Sequence, residues 1–300
     1  MNSNKQAMVL ASFAADSLAL GAHWVYDTAV IDNDFGRVET LRKPKETSFH
    51  KTKNLGDFTH YGDQTLLLLE SIVESNGFDL NAFARSWEVF LGGYDGYLDH
   101  ATKDTLKHFA EGKGPDLSGS TSTDLGGAAR IAPLVYVYSN NLEKLAAAAR
   151  EQTSMTHNDP VVIDSAEFFA EVARQVLQGK PPVAAIKEVA PGGALQKGVL
   201  DGLESSGMET RKAIKNFGQM CDTAAALPSV VHLIAKYETN LKEALVENVM
   251  AGGDSAARGM LVGMVLGAHL GPDAIPQEWL QNLKEYRKVT GLLQTLDQSA

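Results

Sequence analysis

AGGDSAARGMLVGMVLGAHLG, residues 251–271, opens on two glycines, an aspartate and a serine, then runs almost free of charge through small and apolar residues. Gly-Gly-Asp-Ser ahead of such a run is good N-cap chemistry. The Asp254 carboxylate can accept from the unpaired N–H groups of a first helical turn. The run that follows, 255–270, carries small residues on nearly every face, and a helix apolar all round is normally a buried one. A second segment of this kind, AMVLASFAADSLALGA, lies at 7–22. It superficially resembles the core of a secretory signal. However, Asp16 interrupts it, only Lys5 precedes it as a positive charge, and it falls short of the roughly 20 apolar residues a membrane span needs. Two such helices near opposite ends of the chain predict a close-packed centre ringed by amphipathic helices. Polar groups at their ends would face a common cleft, since buried polar atoms need partners.

The surrounding helices are legible from their period. QTLLLLESIVES (64–75) has a wide apolar face, LEKLAAAAREQ (142–152) is rich in alanine, and LKEALVENVM (241–250) repeats the pattern. IDSAEFFAEVARQVLQ (163–178) places Ile163, Ala166, Phe169, Ala173 and Val176 on one stripe and stops at Gly179. No segment alternates convincingly as a strand would. Residues 36–60, rich in Lys, Thr and His, read as a polar surface loop. The expected fold is all-α, a single domain over 1–300 with a central cleft.

Bulk composition narrows the function. With 44% apolar residues in 300, the chain can bury a sizeable core. A net charge of -10 without a basic stripe argues against nucleic-acid binding. The single cysteine, Cys221, excludes an internal disulfide and any multi-cysteine metal centre, and reads most simply as a small buried hydrophobe. A cytoplasmic setting, with no membrane partner, is the expectation.

Five polar knots interrupt the helical pattern: ADSLALGAHW (15–24), YGDQT (61–65), GGAARIAP (126–133), MTHNDP (155–160) and GGDSAAR (252–258). Each has an ordinary structural reading. Asp63 opens a helix, where an anion gains about 0.3–1 kcal/mol as a cap. Asp254 has the same alternative, His157 can be a loop histidine bonding backbone, and Arg130 a plain ion-pair partner. ADSL at 15–18 looks like the nucleophile block of a lipase family, but that block begins with glycine after a strand, and this context is helical.

The order of the knots alters the balance. ADSLALGAHW, YGDQT, GGAARIAPL, MTHNDP and AGGDSAARGMLVGMVLGAHLG together resemble the ADP-ribosylglycohydrolase family, in sequence order and at suitable spacing, over roughly 8–271. The resemblance implies an all-α fold. It also implies a cleft in which active members hold two Mg²⁺ ions, by a Thr-Asp-Asp-Thr block, an Asp-x-Asp-Thr/Ser block and an acidic residue after the N-terminal block. Those metals orient ADP-ribose so that its bond to an acceptor can be hydrolysed.

This chain departs from that pattern where the metals would sit. In the first block Asp63 and Thr65 match, but Gly62 and Gln64 stand for threonine and aspartate. In the last block Asp254 matches and Ser255 is a mild change, while Ala256 and Ala257 replace the second aspartate and the final hydroxyl. His23 aligns where glutamate is usual. Two carboxylates cannot neutralise two divalent cations in a largely buried cleft. The resemblance therefore leaves, at most, one divalent metal, Mg²⁺ or a transition metal, on Asp63 and Asp254 with Gln64 and His23 beside them. ADSLALGAHWVYD, YGDQT and ALP (226–228) are closest to a divergent branch that includes the J1 crystallins. The aromatics Trp24, Tyr26 and Tyr61 fit that branch, and can either stack on a base or simply pack.

Three functions follow as expectations. The first is a hydrolase of a glycosidic bond of ADP-ribose or a related nucleoside, with Asp63 and Asp254 catalytic and His23, Gln64, His157 and Ser255 binding substrate. The second is a nucleotide-binding pseudoenzyme, and the third a crystallin-like structural protein.

Overall fold

The computed structural model describes residues 3–190 and 192–299, and among them it contains seventeen α-helices, two short 3₁₀ turns and no strand. The all-α expectation holds. Two isolated bridges, Ser120 with His157 and Asp124 with Asp222, are the extended pairings present. No described helix is long and apolar enough to cross a membrane.

The two small-residue segments form the central pair of helices, Asn4–Ala19 and Ser255–Leu270, and nearly every residue of both is buried. Their backbones approach so closely that a Cβ on Gly263 would lie 2.5 Å from the Ala11 carbonyl oxygen, and one on Gly267 2.7 Å from that of Ala7. This is why glycine and alanine fill both sequences, although glycine costs a helix about 1 kcal/mol relative to alanine.

Around this pair lie the helices the period announces. Leu142–Ser154 packs on Pro160–Leu177, and Leu241–Met250 packs beside the C-terminal central helix. The helix expected at 64–75 begins four residues earlier, at His60, because Thr59 caps it by accepting from the Tyr61 N–H at 3.2 Å. Its apolar stripe hid the polar first turn. The helix expected to run to 22 ends at Ala19. Residues 20–25 then turn back, with Trp24 N–H donating to the Gly253 carbonyl at 2.9 Å and Gly253 N–H to that of Val25 at 2.9 Å. That exchange brings the end of one central helix to the start of the other. The stretch 36–59 is a loop without a helix, but His60 already opens the next helix, and 36–60 is not all surface: Val38, His50, Phe58, Thr59 and His60 are buried, because the loop folds against the central helices.

One buried acid ties this loop down. Asp16, fully buried inside the N-terminal central helix, accepts from Thr59 N–H at 2.7 Å and from the Thr59 hydroxyl at 2.5 Å. Gly62 is required opposite it, since a Cβ there would meet the Asp16 carboxylate at 2.5 Å.

Candidate active site

Asp254 is the N-cap of the C-terminal central helix, its Oδ1 accepting from Ala257 N–H at 3.3 Å. The two preceding glycines have φ of +74° and +71°, left-handed values that other residues avoid. A Cβ on Gly253 would also lie 2.0 Å from the Gln219 carbonyl oxygen. Arg258, fully buried, clamps this turn through Gly252 O at 2.7 Å and Asn248 Oδ1 at 3.1 Å. The cap reading of GGDS is therefore correct, but it uses only one of the two Asp254 oxygens.

Asp254 Oδ2 accepts from the Tyr61 hydroxyl at 2.9 Å and faces Trp24 Nε1 at 3.4 Å. The same Tyr61 oxygen lies 3.1 Å from Oδ2 of Asp124. Asp124 in turn accepts from Gly126 N–H at 2.6 Å, and Gly126 must lack a side chain because a Cβ would collide with the Tyr61 ring at 2.2 Å. Two carboxyl groups thus converge on one buried phenol, Asp254 fully buried and Asp124 nearly so. Burial, reinforced by the Asp254 charge, pushes Asp124 up to about 7. Burial raises Asp254 as well, while the Arg258 charge and the Tyr61 hydrogen bond oppose it.

Oxygen atoms of both carboxyls and the Cys221 sulfur lie within 4.8 Å of one another. Burial and the two acids push the Cys221 thiol up, so it is a neutral SH and not a thiolate nucleophile.

Histidines and aromatics form the wall beside this centre. His23 Nδ1 accepts from Ala256 N–H at 3.3 Å, which places the ring proton on Nε2. Burial, with His60 and Arg258 near, holds His23 well below the usual range, and its ring stacks on Trp24 at 4.5 Å. Burial also opposes charge on His60, but the Asp99 hydrogen bond and the charges of Asp99, Asp124 and Asp254 raise it. His60 Nε2 lies 3.3 Å from Asp99 Oδ2, and His60 Nδ1 lies 3.1 Å from Nε2 of His50. Trp24 has φ of +64°, a strained value for a bulky residue, and packs edge-on against Tyr97 and Phe49.

The residues expected from the sequence separate into groups. His23, Asp254 and Ser255 lie together at the centre. His157 is buried, its Nδ1 is 2.8 Å from the Thr156 hydroxyl, and burial with the Arg130 charge lowers it to about 3. Its Nε2, His23 Nε2 and Ser255 Oγ have no hydrogen-bond partner among the described residues. Gln64 is committed elsewhere: its Oε1 accepts from Trp87 Nε1 at 2.8 Å and Arg130 at 2.5 Å. Asp63 is bound by Lys53 and by the Tyr94 hydroxyl, and lines a cavity of about 510 Å³. No hydrogen bond or ion pair joins Asp63 to Asp254 among the described residues.

A two-Mg²⁺ centre does not fit these residues. Ala256 and Ala257 offer methyl groups, the Gln64 oxygen is spent, and the Asp63 carboxylate has a lysine on it.

Asp124, Lys53 and Asp99 carry no motif signal, the sequence shows Tyr61 only as a ring, and Cys221 is half-buried beside two acids instead of lying fully in the core. The one available hint for Asp124 was its place two residues before the GGAARIAP knot, in a Ser-Thr-Asp turn ahead of two glycines.

This architecture is shared with known proteins. A solved structure titled ADP-ribosylglycohydrolase-related protein complex superposes with a TM-score of 0.81 at 22% identity, covering 99% of this chain and 97% of its own. Crystallin J1A of Tripedalia cystophora is 23% identical over 298 residues, 92% of this chain and 90% of its own. ADP-ribosylhydrolase ARH3 of Homo sapiens is 25% identical over 217 residues, 60% of this chain and 59% of its own. The profile of the ADP-ribosylglycohydrolase family matches residues 3–300, and the chain belongs to that family.

Proposed function

We propose that this chain hydrolyses a glycosidic bond of ADP-ribose or a related nucleoside, with Asp124 and Asp254 as its working acids. The shared Tyr61 phenol carries the reading. One hydroxyl hydrogen cannot serve two carboxylates, so the second contact is completed by a proton on one of the acids. Asp124, pushed to about 7, holds that proton as a general acid. Asp254, with donors from Tyr61 and Ala257, remains the anion that stabilises developing oxocarbenium charge. Two carboxyl groups driven into different protonation states are what glycosidic cleavage uses.

His23 Nε2, His157 Nε2 and Ser255 Oγ are among the buried polar atoms without a partner in the described residues, as is His50 Nδ1 in the same wall, and in this reading they meet the ligand. Asp124, at 9% exposure, and the half-buried Cys221 give the centre its accessible side. Asp63 and Gln64, already engaged, take no part in this reading.

The test is release of free ADP-ribose from a panel of ADP-ribosylated peptides and nucleosides, comparing the wild type with Asp254→Asn. Loss of about 10²-fold or more in rate supports the assignment. Unchanged turnover in the variant removes Asp254 from the chemistry. A second reading, nucleotide binding without turnover, is favoured by the methyl groups at Ala256 and Ala257. Saturable ADP-ribose binding with no hydrolysis of any panel member would select it.

A further inference from the structure

The carboxylate of Asp63 already has a cation. Lys53 reaches it from the loop between Phe35 and His60, and the Tyr94 hydroxyl donates to the same oxygen. The ammonium also lies 4.9 Å from the centroid of the Tyr94 ring. The Lys53 and Asp63 side chains are only 16% and 15% exposed, so this is not a loose surface pair. Its neighbours in the first turn of the helix add no ligand for a divalent ion, and the other carboxylates of the cavity, Asp57, Glu70, Asp95 and Glu285, lie outside that motif. Gly62 has no side chain and cannot take one against Asp16, and the Gln64 oxygen is held by Trp87 and Arg130.

We infer that Lys53 is a resident counter-cation, and that Asp63 with the Tyr94 hydroxyl and ring forms an ammonium seat where relatives with a complete acidic block would take a metal. An ammonium suits this seat: it is a compact charge with three donors, and it needs one anion and an aromatic face instead of six oxygens. A divalent ion at Asp63 would first have to displace Lys53 from its carboxylate. The cavity of about 510 Å³ that Lys53, Asp63 and Tyr94 line, with Phe58, Leu66 and Phe90, gives small amines a route to the seat.

The test is thermal unfolding of the wild type and Lys53→Ala in ethylammonium chloride, in sodium chloride at equal ionic strength, and in magnesium chloride. The expected result is that Lys53→Ala melts about 4 °C or more below the wild type. Ethylammonium should recover part of that loss saturably and beyond the sodium control, leave the wild type unchanged, and lose its effect in Lys53→Ala/Asp63→Asn. Equal melting of wild type and variant, or a variant that responds to sodium as well as to ethylammonium, overturns the inference. A calorimetric titration of the wild type with magnesium chloride decides it if the variant does not fold. Saturable uptake of two ions per chain would overturn it, and absence of uptake would support it. None of these readouts involves hydrolysis, so this inference and the hydrolase reading stand or fall separately.

Discussion

Asp124 and Asp254 meet on a single atom: the Tyr61 hydroxyl oxygen is 3.1 Å from one carboxyl and 2.9 Å from the other. That relationship makes Tyr61 the residue whose smallest change is most informative. Tyr61→Phe keeps the buried ring and deletes only the shared donor. It should leave the Asp254 oxygen short of a donor and the Asp124 proton short of an acceptor, costing about 1–3 kcal/mol of stability. Hydrolysis of the best substrate should fall by at least about tenfold. Denaturant titration and a rate assay on the same preparation check both. A variant with wild-type rate would show that the phenol is not needed.

The protonation state of the pair fixes a pH dependence of activity. The general acid must carry its proton, and Asp124 loses it as pH rises through about 7. The rate should therefore decline above about pH 7, with an apparent value that belongs to the coupled pair. In Asp124→Asn that alkaline limb should vanish along with most of the activity. A wild-type rate that climbs steadily to pH 9 would contradict the assignment.

Stability should also depend on pH, in a direction the buried acid Asp16 sets. Burial raises it from the ordinary 3.8 to about 7, against the opposing hydrogen bonds from Thr59. Between those values the folded chain binds a proton that the unfolded chain has lost. The unfolded state thus binds fewer protons, and stability falls as pH rises from about 4 to 7. The full effect of one such group is roughly 4 kcal/mol, and Asp124 adds to it with the same sign. Asp16→Asn should flatten the difference between denaturant midpoints at pH 5 and pH 8. An unaltered slope would show that Asp16 is ionised in the fold throughout.

The central helix pair makes a packing prediction. Gly263→Ala improves local helix propensity but drives a methyl group to 2.5 Å from the Ala11 carbonyl oxygen. Overpacking of this kind costs about 1–3 kcal/mol, which outweighs the gain of about 1 kcal/mol in propensity. The variant should unfold at lower denaturant. Equal or greater stability would mean that the two helices can separate freely.

How far the sequence carried depended on whether a feature was local. The two central helices were legible because their demand for small residues is written on every face, and the Asp254 cap because Gly-Gly-Asp-Ser is a short-range signal. Leu241–Met250 matches the periodic stretch at both ends, the helical period being local too. Asp124 escaped because its meaning comes from Tyr61 and Asp254, residues that only the fold brings near it. Lys53 escaped because a loop has no period to mark one lysine among several. Gln64 and Asp63 sit in one motif, yet Trp87 and Arg130 draw the first away and Lys53 holds the second. A motif fixes which residues are neighbours along a helix, and tertiary partners decide which way each one faces.

The central claim is that ligand chemistry belongs to Asp124 and Asp254 and not to Asp63. A crystal structure of the wild-type chain soaked with ADP-ribose tests it most directly. The account predicts a ribose within hydrogen-bond distance of the Asp124 or Asp254 carboxyl, with Lys53 still on Asp63. A ribose held by Asp63, with Lys53 displaced, would contradict it.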